Sequence, residues 1–353
     1  MIDSIYQSLY PRLSIEAAKG ADGALAELTR CEKLDVDDKC HTYGFKAAEY
    51  SGKLVFKIKP GQSAKDAAKA AVDAVCAARG TEDRQRILDA YERFRADHPE
   101  VFWMSPNVIA GNRYSYEYSY TSTDGSAEWK MMLYLQLYKR EKKGKTVFDA
   151  REEEYRSVEA IRRGIAVRDE RISSIISLSE IRFAMGDAGK VQALNRLLTM
   201  ENGYYSGRKE TIPSVARTCM PALVGSAGKG GAVCAGYART FKVLCDRLAI
   251  PCVTISGDGY SNGSKHPEPH MWNAVRISGK WYGVDVTWND PTITGISSAQ
   301  TGYECEDYLL VGSDTMIGDR TFAQSHVPKK CDVADGIIPE LAKYEYSGID
   351  RRH

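Results

Sequence analysis

"GGAVCAGYARTFKVLCDRLAIPC", residues 230–252, sets one cysteine between glycines and the opening of a helix. Apolar or small side chains follow at Tyr237, Phe241, Leu244, Cys245 and Leu248. Spacings of three and four mark one helix face, and Pro251 closes the helix. Cys234 therefore falls in the first turn. Unpaired backbone N–H groups and the positive dipole end favour a thiolate over a thiol there. The same N–H groups could hold an oxyanion forming beside the sulfur. A cysteine so placed can be a small apolar residue, a metal ligand or a nucleophile. Cys245 lies on the packing face and Cys252 in the next strand, so both are expected in the core.

A nucleophilic cysteine needs a base, and the base needs an orienting partner. Of six histidines, His98 precedes a proline, His41 lies far upstream and His353 is terminal. His270 opens "HMWNAVRISGKWYGVDVTWNDP" (270–291), two alternating strands around Ser278-Gly279. If those two residues form the turn, Ile277 faces Lys280, and Asp285 comes to lie opposite Trp272. Asp285 is then one diagonal step, about 7–8 Å at the backbone, from His270 on the same sheet face. A three-residue turn would put the two on opposite faces. The metal alternative uses Cys245, Cys252, His266 and His270 in a zinc-finger-like order. Its cysteine gap is wider than the usual two to four residues, and Pro267 and Pro269 bar a helix between the histidines.

The 353 residues suggest two domains, or three, and 43% hydrophobic with 27% charged residues is an ordinary soluble composition. With 48 basic and 47 acidic residues the net charge is +1, which gives no footprint for nucleic acid. No apolar run approaches a membrane span. "MIDSIYQSLYPRLSIEAAKG" lacks the regions of a signal peptide, so a cytoplasmic chain is expected. A secreted or cell-surface protein whose signal had been removed would read the same. Nine scattered cysteines without a CxxC fit free thiols better than a disulfide framework.

Upstream, "SGKLVFKIKPG" (51–61) predicts a strand, and 63–80 a helix capped by Ser63 and stopped by Gly80. A second helix is expected over 81–103, ending near His98-Pro99. "RYSYEYSYT" and "MMLYLQLYKR" form a hairpin with Asp124-Gly125 in the connection. The alternating Tyr114, Tyr116, Tyr118 and Tyr120 read as a half-buried sheet surface rather than a ligand-stacking face. Residues 150–202 read as charged helices with one solvated face.

Cys234 in "GGAVCAGYARTF", His270 in "HMWNAVRI" and Asp285 in "WYGVDVTWNDP" resemble the three motif blocks of the transglutaminase-like superfamily. Order and spacing agree with its compact bacterial members, and "YLLVGSDTMIGDRTFAQSHVP" (308–328) resembles their closing segment. The resemblance implies an α+β, papain-like core with the nucleophile-bearing helix packed on an antiparallel sheet. A helical, hairpin-containing region precedes it. The expected division is an accessory region over 1–150, a catalytic domain over 151–328 with its motif-bearing core at 206–328, and a tail over 329–353.

By the same resemblance Cys234 is the nucleophile, His270 the general base and acid, and Asp285 the orienting residue, with no metal or other cofactor. The implied reaction is cleavage or transfer at a peptide or glutamine-type amide through a thioester, with a protein or peptide as substrate. Hydrolysis is favoured. A crosslinking transglutaminase and a non-enzymatic scaffold on the same fold are the alternatives. Tyr204 and Tyr205 are candidates for a second oxyanion donor. Trp272 and Trp288 are candidate cleft walls or sheet-core aromatics, and His266 is a candidate substrate contact on a loop.

Overall fold

The computed structural model describes residues 32–37, 40–103, 114–123, 125–139, 148–149, 155, 158–209, 212–225, 231–290, 305–332 and 337–351. Two compact units emerge, one of residues 1–94 and 104–152, the other of residues 95–103 and 153–353.

The first unit holds an antiparallel sheet with β1 (Glu32–Asp37), β2 (Cys40–Val55), β4 (Ser126–Lys139) and β3 (Tyr114–Thr123) side by side. A two-residue β5 (Phe148–Asp149) also pairs with β4. The β3–β4 hairpin turns at the expected place. Thr123 faces Ser126, and Gly125 takes φ +83°, which glycine adopts without strain. Tyr118 donates its hydroxyl proton to Asp73 and Tyr120 is half-buried, as expected of a sheet surface packed from one side. Tyr114 and Tyr116 have side chains outside the described residues.

Two expectations fail here. Gly80 does not stop a helix: α1 runs unbroken from Ala64 to Asp97. Ala68, Val72 and Cys76 are buried along it, and an interior glycine costs only about 1 kcal/mol against alanine. Its start and end are as read: Ser63 Oγ accepts from the Asp66 N–H at 3.1 Å, and the helix finishes before His98-Pro99. The strand expected over 51–61 ends at Val55.

The second unit is built from α2 (Val158–Ser177), α3 (Ser179–Arg182), α4 (Gly186–Glu201), α5 (Met220–Val224) and α6 (Cys234–Arg247), followed by a second sheet. That sheet is antiparallel in the order β11 (His326–Asp332), β6 (Cys252–Gly259), β7 (Glu268–Ile277) and β8 (Lys280–Val284). Helix α6 buries Tyr237, Phe241, Leu244 and Cys245, the face read from its spacing, and packs on β6 and β7. Asn273 on β7 donates to the Ala238 carbonyl of α6 at 3.0 Å. On the other face Val253, Ile255, Trp272 and Ala274 meet Tyr308, Val311, Ile317 and Phe322 from the segment after residue 305. Helices grouped apart from antiparallel sheets make the fold α+β.

Two polar clamps hold that closing segment. The buried Glu306 carboxylate accepts from Arg196 at 2.6 Å and from Gln192 at 2.9 Å, both on α4. Asn289 donates to Asn195 of α4 at 2.9 Å and accepts from the Tyr308 N–H at 2.9 Å. Between β10 (Arg320–Thr321), paired with β9 (Met316–Ile317), and β11, the four-residue α7 (Phe322–Ser325) is capped by Thr321. Among the described residues no helix is long and apolar enough to cross a membrane.

Gly236, in the first turn of α6, has a packing reason to be glycine. A Cβ there would lie 2.6 Å from the Ala216 carbonyl oxygen and 2.8 Å from the Ala232 Cβ. Gly236→Ala should therefore lower stability by about 1–3 kcal/mol, overriding the usual helix gain of alanine over glycine. Urea denaturation reads this as a lower midpoint with an unchanged slope.

Candidate active site

Strands β7 and β8 pair as the two-residue turn requires: Ile277 faces Lys280 and Asn273 faces Val284. Ser278 at φ 50° and Gly279 at φ 82° give the doubly left-handed turn that suits the twist of the strands. Asp285 leaves the end of β8 on the His270 side, and His270 Nε2–H donates to Asp285 Oδ2 at 2.6 Å. Asp285 Oδ1 accepts from the N–H groups of Thr287 at 2.9 Å and Trp288 at 3.1 Å.

Cys234 opens α6. Its N-cap, Val233, has no side-chain oxygen to cap the first-turn N–H groups. The half-buried Cys234 thiol interacts with the His270 ring and with the N–H of Met271. With Nε2 on Asp285, Nδ1 is the ring nitrogen left for the sulfur. Residues 203–205 run beside the segment that leads into Cys234. Tyr204 bridges to Ala232, the Tyr205 N–H donates to the Ala232 carbonyl at 3.1 Å, and a Cβ on Gly231 would collide with the Gly203 carbonyl. This brings the Tyr204 hydroxyl to both the backbone and the sulfur of Cys234.

The electrostatics follow from these contacts. Burial pushes the Cys234 thiol up, but hydrogen bonding and charge from His270, with the Met271 N–H, bring it below its ordinary value. Burial disfavours charge on His270 as well, yet Asp285 and then Cys234 raise it to about 10. Burial would raise the Asp285 carboxyl, and the charge and hydrogen bond of His270, with His326, instead hold it well below the usual carboxylate range. The combination favours a thiolate–imidazolium pair. Burial, with the neighbouring Cys234, raises Tyr204 to about 12, so it stays a hydroxyl donor.

A cleft of about 460 Å³ opens beside this group, lined by Tyr204, Glu268, His270, Trp288, Asp290 and Tyr308 among others. Trp288 stacks on His270 with ring centres 4.9 Å apart and planes at 23°. Trp272 lies in the apolar core at 2% exposure and does not line the cleft. The Tyr205 ring packs over Gly207, and His266 is exposed on its loop; neither lines the cleft. Cys245 and Cys252 are both buried, while His266 is exposed, so the zinc-finger-like order is not gathered into one site.

Sequence reasoning missed His326. Its ring is buried, and Nε2 lies 3.0 Å from the same Asp285 oxygen that His270 uses. Among the described residues, His270, Asp285 and His326 form the one group of metal-ligating residue types with donor atoms within 4.8 Å of one another.

Residues 178–286 match the family model of the transglutaminase-like superfamily, a span that contains Cys234, His270 and Asp285. This stretch is a transglutaminase-like domain. The curated relatives include kyphoscoliosis peptidase of Homo sapiens and of Mus musculus. Each is 34% identical over 92 residues, which cover 24% of this chain and 14% of the relative. The chain thus spans about a seventh of the length of these relatives. Among solved structures, a TGase aligns with a TM-score of 0.29 at 16% identity, covering 54% of this chain and 48% of that one. A candidate cysteine protease of Cytophaga hutchinsonii aligns at 0.25 and 17% identity, covering 49% and 64%.

Iodoacetamide should modify Cys234 well ahead of Cys76, Cys219 and Cys245, whose thiols burial pushes up. The rate should rise through a midpoint below the ordinary thiol value, because a depressed thiol ionises at lower pH. His270→Ala should move that midpoint up and slow the reaction at neutral pH. Peptide mass spectrometry of timed samples reads each site.

Proposed function

We propose that the chain is a cysteine enzyme that opens a peptide or glutamine-type amide through a thioester acyl-enzyme, with hydrolysis as its outcome. Cys234 is the nucleophile, His270 the general acid and base, and Asp285 the residue that orients the imidazole. The observation that carries this reading is one imidazole held between a thiol at a helix mouth and a buried carboxylate. The catalytic part lies in the second unit, with residues 1–150 as an accessory region.

The steps follow from these contacts. The Cys234 thiolate attacks the amide carbonyl carbon, and the resulting oxyanion meets the Cys234 N–H and the Tyr204 hydroxyl. The C–N bond breaks as the His270 imidazolium gives its proton to the departing amine, leaving a thioester and a neutral imidazole. Water then attacks the thioester, His270 takes the water's proton, and the acid leaves with the thiolate restored. Trp288, stacked on His270, forms one wall of the cleft and keeps the ring in plane. The name peptidase belongs to the mammalian relatives, and it supports hydrolysis without naming a substrate.

One observation favours transfer to an amine as a second reading. The cleft lining includes two carboxylates, Glu268 and Asp290, and no lysine or arginine among its described residues. Glu268 is exposed and pairs with Lys209 at 3.2 Å, and Asp290 accepts from the Tyr237 hydroxyl at 2.5 Å, so a cationic acceptor would compete with Lys209 for Glu268.

A panel of peptides and glutamine amides, with and without a primary amine, separates the outcomes by mass. Cys234→Ala should abolish turnover, and turnover unchanged in that variant defeats the proposal. Tyr204→Phe should lose about 10²-fold or more in kcat, the size expected for one oxyanion donor. An amine adduct as the main product would replace hydrolysis by transfer.

A further inference from the structure

His326 is the buried titratable group that the proposed mechanism leaves without a task. It opens β11, and its ring stacks on Phe322 with centres 4.1 Å apart. The Trp288 ring lies at 4.5 Å and the Trp272 ring at 5.0 Å. The titratable groups facing it are Asp285, His270, with ring centres 5.8 Å away, and Tyr308, at 5.7 Å. Burial holds His326 below its ordinary histidine value despite Asp285, and burial likewise raises the Tyr308 hydroxyl, which stays protonated.

A metal ion does not account for this cluster. Tetrahedral ligands at 2.0–2.1 Å from zinc lie about 3.3 Å from one another. The His270 Nε2 to Asp285 Oδ2 separation is 2.6 Å, a hydrogen bond with no room for a shared ion. His326 has its second nitrogen engaged as well, with Nδ1 2.8 Å from Ser325 Oγ.

We propose that His326 is a positioning residue for the cysteine chemistry: its Nε2–H donates to the Asp285 oxygen that serves His270, fixing that oxygen and tempering its pull on the imidazolium. The inference rests on the reading of Cys234 and His270 given above. A carboxylate oxygen has two lone-pair directions. With one of them held by His326, the other is aimed at His270. Sharing also weakens the oxygen as a partner for the imidazolium, which must surrender its proton to the leaving amine. This works with a neutral ring, because a second imidazolium beside His270 would meet like charge in a buried site. A neutral His326 accepts a hydrogen bond at Nδ1 from the Ser325 hydroxyl, 2.8 Å away, while the Phe322 carbonyl beside the ring works to raise its pKa. A charged ring would turn that hydroxyl to the Phe322 carbonyl, 3.0 Å away.

Two variants and one spectrum test this. In His326→Leu, Asp285 grips the imidazolium without a competitor. The acid midpoint of Cys234 alkylation by iodoacetamide should fall by about half a pH unit or more, since the imidazolium forms more readily. Amide turnover should lose about tenfold or more in kcat, with KM changed less than about twofold, because a better-held proton is a poorer general acid. His326→Gln, whose amide can donate to Asp285, should restore most of both. In nitrogen-15 spectra of the wild-type protein, His326 should be neutral, protonated at Nε2 and bare at Nδ1, across neutral pH. A folded His326→Leu protein with an unmoved midpoint and unchanged kcat overturns the proposal. So does equal loss of kcat in both variants without a shift, or a His326 bare at Nε2 or doubly protonated. Should His326→Leu not fold, the Gln variant and the spectrum decide. Wild-type Cys234 reacting no faster than Cys76 would defeat the cysteine reading itself, and the His326 spectrum would still test the hydrogen bond.

Discussion

The Asp285 carboxylate is fully buried and accepts four hydrogen bonds, two from backbone N–H groups and two from histidine rings. Taking a carboxylate out of water costs several kcal/mol even after relaxation. Hydrogen bonds to a charged group return about 1.5–3 kcal/mol each, so four are of the order needed to keep it ionised there. Losing any one donor would leave part of that cost uncovered. The donors come from the turn after β8, from β7 and from β11. Three stretches of chain are thereby tied to one side chain.

The clamps further out follow from the same constraint. β11 can deliver His326 only if the segment after residue 305 is laid across the sheet. Glu306 on Arg196 and Gln192, with Asn289 on Asn195, anchors that segment to α4. Glu306 is itself buried, and it too is covered by a charge partner and an amide rather than by water. Helix α4 thus sets the position of the aspartate's surroundings from outside the motif blocks.

Legibility in the sequence follows the range of the interaction. The His270–Asp285 pair was readable because a two-residue turn fixes register, and register fixes which side chains share a face. The start of α6 was readable from its apolar spacing. His326 was not, because its partner lies 41 residues away and nothing local sets that distance. A single histidine at the head of a short strand looks the same whether it serves a site or fills a core. Gly80 misled for the opposite reason: a glycine is only a weak local stop, costing a helix interior about 1 kcal/mol, and α1 runs straight through it.

The helix mouth alone does not explain Cys234. Cys219 stands at the N-cap of α5, also at a helix start, yet burial pushes its thiol up to about 12. A helix dipole contributes about 0.3–1 kcal/mol, less than the 1.36 kcal/mol that one pKa unit represents. An opposite charge within contact moves a pKa by about one to three units, enough to reverse a desolvation penalty. Cys234 has His270 against it, and its thiol goes down where that of Cys219 goes up. In the proposed mechanism the helix serves a different purpose: its first turn, which no side chain caps, supplies the Cys234 N–H to the substrate oxyanion. The ionisation of the sulfur is set from the sheet side, through His270 and the carboxylate behind it.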